Sequence, residues 1–279
     1  MSGKKIIIGY DRSADSKAAA AWALDEAGRT GAPVEFFFAY EWPTWAPANS
    51  TIAAPPVWPG GETDRAVNGM LNEAVATARL THPEVSTSIS IERASAAGTL
   101  IERSAEAGLI VLGSRGHSAV TGLLGSVSVA VSAQAACPVI VVRGDQQPAA
   151  PIVVGVDDSP SAQAALAFAA ELAAARNVPL RVIHARPPVT SPWDFTPGEA
   201  AFDAADNPLA GWAEKYPQVE FVAEAVTEHP AAALAAASTT AQLLVVGTRG
   251  RGAVRGMLLG SVSQHALRHS ACTVAVAHS

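Results

Sequence analysis

The chain contains the same glycine-rich segment twice, and this repeat is the feature that most restricts its fold. VLGSRGHSAVTGLLGSVS occupies residues 111–128, and VVGTRGRGAVRGMLLGSVS occupies residues 245–263. An earlier segment, IIIGYDRS at residues 6–13, recurs as IVVGVDDS at residues 152–159. Because 279 residues suit two ordinary domains, the repeat predicts two copies of one fold, in residues 1–145 and 150–279.

The charge and hydropathy of the chain exclude several classes of partner. The formal net charge is -6, from 19 basic and 25 acidic residues, so no basic surface for nucleic acid is expected. No apolar run has the roughly 18 residues that a membrane span requires. In the first segment, MSGKKIIIGYD, the apolar run of three isoleucines is too short for the apolar region of a signal peptide. We therefore expect a cytoplasmic protein that binds neither nucleic acid nor membrane.

Strand and helix patterns alternate along each copy. In the first copy, five apolar or alternating runs predict strands: KKIIIGY, PVEFFFAY, VSTSISIE, LIVLG and PVIVVR. An alanine-rich helix opened by Ser13 and closed at Gly31 separates the first two, and another helix begins at Ser126. Such alternation requires right-handed parallel crossovers, so each copy is predicted to be a Rossmann-like α/β domain, flavodoxin-sized and doubly wound, with a five-stranded parallel sheet.

The topology also predicts where a ligand would bind. Open parallel sheets bind ligands beyond the carboxyl ends of the strands, where the winding reverses. Asp11 follows the first strand and Gly113 ends the fourth. If these two strands are neighbours, both residues face one crevice.

The glycine-rich segment has the parts of a phosphate-binding loop. Gly247 and Gly250 are expected to let the main chain approach a ligand, because they carry no Cβ. Gly260 and Ser261 stand where the next helix begins, so free amides and the helix dipole would face an anion. The hydroxyls of Ser261 and Ser263 are expected to donate to phosphate oxygens. The loop lacks the Gly-Lys-Ser/Thr of a Walker A motif, and no Gly-x-Gly-x-x-Gly follows the first strand.

With these residues the chain resembles the universal stress proteins in their tandem two-domain form. ATP-binding members of that family carry Gly, two residues, Gly, nine residues and then Gly-Ser/Thr, which Gly247, Gly250, Gly260 and Ser261 match. The family's Asp-x-Ser after the first strand is matched at residues 11–13 and 157–159, so the resemblance covers almost the whole chain.

The resemblance implies an ATP site, with Mg²⁺, in each copy. Asp11 and Asp157 would lie near the adenosine, main chain around Tyr40 and Ala185 would border the adenine, and the glycine loops would hold the phosphates. The implied binding residues are Asp11, Tyr40, Gly113, Arg115, Gly116, Gly125, Ser126, Val127 and Ser128 in the first copy, and Asp157, Ala185, Gly247, Arg249, Gly250, Gly260, Ser261, Val262 and Ser263 in the second.

The first loop departs from the family pattern. Only the eight residues HSAVTGLL separate Gly116 from Gly125. The loss of one residue from this loop either tightens its outer turn around Gly122 or weakens the site. The second loop also carries more arginines, which bind phosphate well if they do not face solvent, so we predict tighter triphosphate binding there. The contrast is between Arg249, Arg251 and Arg255 in the second loop and Arg115, His117 and Thr121 in the first.

Other chemistry-bearing residues do not form a recognisable catalytic or metal motif. His265 and His269 are one helical turn apart but have no third ligand, so a surface or interface pair is expected. No Gly-x-Ser-x-Gly elbow supports a hydrolase. The two cysteines, Cys137 and Cys272, occupy matching contexts before apolar runs and are expected to be buried as small hydrophobic residues.

Two further features bear on partners. The proline-rich segment 41–63, with Trp42, Trp45 and Trp58, is a lid, a docking surface for an unidentified protein partner, or a plug on its own domain; its counterpart near residue 190 has only Trp193. The apolar fifth strands need covering, and in the resembled family they meet across a twofold axis, which implies two pseudo-twofold-related domains. Two such chains are then expected to form a homodimer.

Together with the phosphate-binding loops, the resemblance implies an ATP-binding, nucleotide-dependent regulator in stress adaptation. No base or water-positioning residue for phosphoryl transfer is identifiable, so hydrolysis is expected to be slow at most. The alternatives are a slow ATPase or adenylyl-transferring enzyme on the same fold, and a structural stress protein with vestigial sites.

Overall fold

A computed structural model describes residues 3–40, 61–116, 124–144, 147–188, 209–250 and 258–278. The elements of the first half are β1 Ile6–Gly9, α1 Ala14–Thr30, β2 Val34–Ala39, α2 Gly61–Thr81, β3 Thr87–Glu92, α3 Ala96–Arg103, β4 Leu109–Gly113, α4 Ser126–Gln134 and β5 Val139–Val142. Those of the second half are β6 Ile152–Gly155, α5 Pro160–Arg176, β7 Leu180–Arg186, α6 Ala210–Lys215, β8 Phe221–Thr227, α7 Pro230–Ala237, β9 Leu243–Gly247, α8 Ser261–His269 and β10 Thr273–Ala277.

The strands form one sheet of ten, in the order β3-β2-β1-β4-β5-β10-β9-β6-β7-β8. Within each half all neighbouring strands are parallel, and β1 lies between β2 and β4, as β6 lies between β7 and β9. The predicted doubly wound α/β fold, repeated twice, is thereby confirmed.

The two halves meet through their fifth strands. β5 and β10 pair antiparallel, with Ile140 opposite Ala275 at the centre of the register, and the residues of both strands are buried. Each strand therefore covers the apolar edge of the other. The pairing expected from the family resemblance occurs here within one chain.

Helices cover both faces of the sheet and build a core on each. Side chains of α1, α2 and α5 pack with Ile8 and Phe36 on one face, whereas those of α3, α4, α7 and α8 pack with Ile7 and Phe37 on the other. Successive strand residues thus alternate between the two cores, as the pleat requires.

Local capping explains where the two long equivalent helices begin and end. Ser13 and Ser159 are the N-caps of α1 and α5, and their hydroxyls accept from the amides of residues 16 and 162 at 3.1 and 3.2 Å. Gly31, at φ 68°, ends α1, and Asn177, at φ 52°, ends α5. The predicted helix from Ser13 to Gly31 is confirmed.

The long segment predicted at residues 41–63 needs a correction at its end. α2 already begins at Gly61, with acidic residues in its first turn and Val67, Leu71 and Val75 buried along one face. The proline-rich run before it hid this helix start. Residues 41–60 and 189–208, which contain Trp42, Trp45, Trp58 and Trp193, lie outside the described residues.

Both cysteine thiols are buried and free, as predicted, and burial raises the pKa of Cys137 and of Cys272 to about 12. Since the thiolate is the reactive form, neither thiol is expected to react with Ellman's reagent in the native protein at pH 8. Both should react at once in denaturant. Rapid native labelling of either cysteine would contradict this burial.

Candidate functional site

A cleft opens beyond the carboxyl ends of β6 and β9, where the winding of the second half reverses. It encloses about 550 Å³ of empty space, counting its open mouth. Its lining includes the apolar residues Ile183, Ala185 and Leu234 and also the charged residues Asp157 and Arg249. A ligand with both an apolar ring and charged groups would match this mixed lining.

An aspartate follows the first strand of each half and binds the serine two residues further on. Oδ1 of Asp157 accepts from the amide and hydroxyl of Ser159 at 3.0 and 2.5 Å, and Oδ1 of Asp11 accepts from Ser13 at the same distances. A Cβ built on Gly250 would lie 2.6 Å from Oδ2 of Asp157. The aspartate and the glycine loop therefore touch, which confirms that strands one and four face one crevice.

Helix packing requires glycine at the end of the fourth strand, and this reason was not predicted. A Cβ on Gly113 would lie 2.7 Å from the carbonyl carbon of Asp15, and one on Gly247 would lie 2.6 Å from Oγ of Ser161. These glycines admit the first turn of α1 or α5 against the strand. Gly247 also lines the cleft, so the expectation that it lets the main chain approach a ligand stays a prediction beside this packing reason.

The start of α8 presents main-chain donors to the loop, and α4 repeats the arrangement from Ser126 and Val127. Gly260 is the N-cap of α8, has no side-chain cap bond, and donates its own amide to Thr248 O at 2.8 Å. The following amides, of Ser261 and Val262, have no acceptor within the helix. This is the arrangement in which helix starts bind anions.

The serine hydroxyls of these helix starts divide into two kinds. Ser128 and Ser263 are buried and donate to the carbonyls of Gly113 and Gly247 at 2.8 and 2.6 Å. The expected donation from the Ser263 hydroxyl to phosphate is therefore wrong, because that hydroxyl holds α8 against β9. The exposed hydroxyl of Ser261 remains a candidate donor.

The two positions predicted to border the adenine are not structurally equivalent. Ala185 lines the cleft, and the register of β1–β2 and β6–β7 makes Ala39 its counterpart. Tyr40 is one residue further on: its ring packs edge-on against Phe38 with the core on the opposite face, and its amide donates to Glu92 O at 2.8 Å. That the main chain around Tyr40 borders the adenine stays a prediction.

Asp15 and its counterpart Ser161 were missed by the sequence reasoning. Oδ2 of Asp15 accepts from Oγ of Ser114 at 2.6 Å and from Nε of Arg115 at 3.2 Å. Burial raises the pKa of Asp15, but these hydrogen bonds and the charge of Arg115 outweigh it and hold that pKa below its ordinary value. Alignment of DRSADS with DDSPSA would have shown the difference between Asp15 and Ser161.

Several predicted features fall elsewhere. The rings of His265 and His269 are tilted by 33° to each other with 4.3 Å between centroids, and burial, aided by the charges of His269 and His229, lowers the pKa of His265. Within the described ranges, no three metal-ligating side chains cluster and no helix is long and apolar enough to cross a membrane. The outer loop residues His117, Thr121, Gly122, Arg251 and Arg255 lie outside the described residues.

Comparison with known proteins returns one family for both halves. The Universal stress protein family matches residues 3–143 and again residues 149–278. A universal stress protein of Mycobacterium tuberculosis strain H37Rv is 35% identical over 292 residues, 98% of this chain and 96% of that protein. The crystal structure of a universal stress protein from Archaeoglobus fulgidus has a TM-score of 0.70 at 20% identity, covering 99% of this chain and 96% of that one.

One matched structure contains a nucleotide. It is the crystal structure of a universal stress protein in complex with cAMP, 29% identical, covering 47% of this chain and 99% of that chain. Its TM-score is only 0.38, so it does not indicate which ligand this chain binds.

Proposed function

The chain belongs to the universal stress protein family, and we propose that it binds ATP with Mg²⁺ in its two crevices and acts as a nucleotide-dependent regulator in stress adaptation. The observation that carries this proposal is the cleft of the second half. Its apolar lining residues, its aspartate and the uncapped start of α8 lie around one open cleft.

The residues present fit the parts of the nucleotide. Ile183, Ala185 and Leu234 would contact the base, and Asp157 would lie within reach of ribose hydroxyls. The amides of Ser261 and Val262 would donate to phosphate oxygens. Mg²⁺ would be held mainly by phosphate oxygens and water, since Mg²⁺ in such sites keeps several waters.

The described cleft is better suited to binding than to catalysis. Asp157 is the one carboxylate that lines it, and Oδ1 of that residue is engaged by Ser159. A general base must be able to reach and accept the proton of the attacking water. We therefore expect hydrolysis to be slow at most, so that occupancy of the site, rather than turnover, carries the signal.

A homodimer, a protein partner and a cytoplasmic location belong to the same proposal. They rest on the family resemblance and on the composition of the chain, and each is open to direct measurement. Native mass measurement showing only monomer would remove the homodimer.

Blocking one helix start at a time tests nucleotide binding. Gly260→Asp places a carboxylate at the N-cap of α8, where it can accept from the amides that would otherwise donate to phosphate. The space around Gly260 accepts a Cβ, whose nearest neighbour would be Thr248 O at 3.4 Å. We expect isothermal titration calorimetry with Mg-ATP to show about 100-fold weaker binding at the second site, while the unliganded protein melts at an unchanged or slightly higher temperature.

Gly125→Asp makes the matched change in the first half, and Gly69→Asp is the control for adding an acid at an exposed helical glycine with no atom within 4 Å of its Cβ. We expect Gly260→Asp to lose the second site, Gly125→Asp to lose the first, and Gly69→Asp to keep both. No binding heat and no thermal stabilisation of the wild-type protein by ATP would overturn the proposal in favour of a structural role. Steady ATP turnover abolished by Asp157→Asn would instead favour the enzyme.

A further inference from the structure

Asp15 and Ser161 occupy the same place in the two halves. Each is the second residue of its helix, α1 or α5, and each packs against the glycine that ends the fourth strand of its half. In the second half, Ser161 lines the cleft. The twofold repeat therefore places the Asp15 carboxylate at the wall of the corresponding crevice.

In the first half this position carries a negative charge that engages the loop cation. Arg115 donates from Nε to Asp15 and is 49% exposed, while the Asp15 side chain is still 20% exposed. The guanidinium is thus held by a carboxylate beside the start of the glycine loop. Asp15 is thus a second acid beside Asp11, while Arg143 lies near enough to interact electrostatically with both Asp15 and Arg115.

In the second half the corresponding side chain is neutral. The Ser161 hydroxyl donates to the main-chain carbonyl of Arg249. Arg249 is exposed and, among the residues that the structure describes, forms no ion pair. Its guanidinium remains available to an anion at the mouth of the cleft.

We propose that Asp15 is a specificity-determining residue that lowers the affinity of the first site for a polyphosphate such as Mg-ATP relative to a nucleoside, whereas Ser161 leaves the second site open to polyphosphate. This inference rests on the proposed nucleotide-binding function and deepens it. The two halves of one chain would then both bind nucleotide but differ in their affinity for polyphosphate.

The physical reason is the local charge that a polyphosphate meets. The phosphates would lie along the glycine loop, beside Asp15, and each phosphate charge is repelled by that carboxylate. Arg115 compensates less than a free arginine would, because its guanidinium is already paired. A uniform loss of affinity is not expected, because an uncharged nucleoside has no charge for Asp15 to repel.

For Mg-ATP the test isolates the first site, whereas adenosine, which has no phosphate, is expected to titrate both sites with and without the substitution. In a Gly260→Asp background, the full chain is titrated with adenosine and with Mg-ATP, with and without Asp15→Asn. Asparagine keeps the size of the side chain and its acceptor for Ser114 but removes the charge. We expect Asp15→Asn to raise the affinity for Mg-ATP about tenfold at low ionic strength, to change that for adenosine less than about twofold, and to lose most of the gain at high salt.

Asp15→Ser, which installs the residue of the second half, should act in the same direction. The reciprocal variant is Ser161→Asp in a Gly125→Asp background, with Ser161→Ala as the control for loss of the hydroxyl. It should weaken Mg-ATP binding about tenfold relative to Ser161→Ala and leave adenosine binding close to that control.

The outcomes separate this inference from the function on which it rests. If adenosine and Mg-ATP bind but Asp15→Asn leaves the ratio of their affinities unchanged, the specificity role of Asp15 is overturned and the nucleotide site stands. Equal weakening of both ligands would show that Asp15 only holds the loop in place, which also overturns it. Absence of any binding to the wild-type protein would overturn the proposed function itself.

Discussion

Replacing Glu26 by glutamine is expected to lower the free energy of unfolding by about 3–5 kcal/mol. The Glu26 side chain is fully buried, and its Oε2 accepts from Arg29 at 3.0 Å and from Arg176 at 2.8 Å. Arg176 is itself 8% exposed and lies over the ring of Trp22, with 4.8 Å from guanidinium carbon to ring centroid. Without the carboxylate, the buried guanidinium has lost its charged partner.

The effect reaches across the two halves of the molecule. Glu26 belongs to α1 and Arg176 to α5. Arg176 also donates to the side-chain oxygen of Gln242 at 2.7 Å, and the side-chain nitrogen of Gln242 donates to the carbonyls of Pro148 and Ala150. The ion pair therefore fixes α1, α5 and the segment that joins the halves relative to one another. Burial lowers the pKa of Arg176, although the carboxylate of Glu26 opposes this, so the charge is costly when unpaired.

Urea denaturation followed by circular dichroism measures the loss, provided that the slope m is unchanged. Glu224→Gln is the matched control, because Glu224 pairs with Arg181 at a site where both side chains are about a quarter exposed, and such pairs contribute at most about 1 kcal/mol. Adding Arg176→Met to Glu26→Gln should recover part of the stability, since it removes the stranded charge. A loss below about 1 kcal/mol for Glu26→Gln alone would show that the pair is dispensable.

The sequence was sufficient for the order of elements because their ends are encoded locally. Ser13 and Gly31 cap α1 with their own side chain or backbone, and the alternation of β3 marks a strand with one exposed face. The start of α2 at Gly61 was missed because proline and glycine immediately precede it. The Glu26–Arg176 pair was out of reach, since it depends on how two helices 150 positions apart lie on one sheet.

The site was predicted at the level of segments and less well at the level of side chains. The loop and the aspartate were correctly brought to one crevice, because parallel strands end at the same edge. The Ser263 hydroxyl was misjudged, since only the structure shows that a strand carbonyl takes its proton. Asp15 was overlooked because it follows the Asp-x-Ser motif by two residues and reads as an ordinary first-turn helix acid.

Gly144 is the second position at which one substitution should have a large effect on stability, here through a single added methyl group. It follows β5 at φ 65°, in the left-handed region, and a Cβ there would collide with the carbonyl oxygen of Ala271, which precedes β10. Arg143 fixes the same end of the β5–β10 junction, which we call the seam: its Nη1 donates to Leu267 O at 2.6 Å. The main chains of the two halves therefore approach closely only because residue 144 has no side chain.

Gly144→Ala is expected to destabilise the protein by about 2–4 kcal/mol, from left-handed strain of about 1 kcal/mol and from overpacking against a backbone that is tied at both strands. Gly31→Ala separates the two causes, because Gly31 has φ 68° but no atom within 4 Å of its Cβ, and should lose only about 1 kcal/mol. Urea denaturation of both variants gives the comparison. Equal losses would mean that the seam yields freely at Ala271, whereas the larger loss at Gly144 would show that the antiparallel β5–β10 junction holds the two halves in a single arrangement.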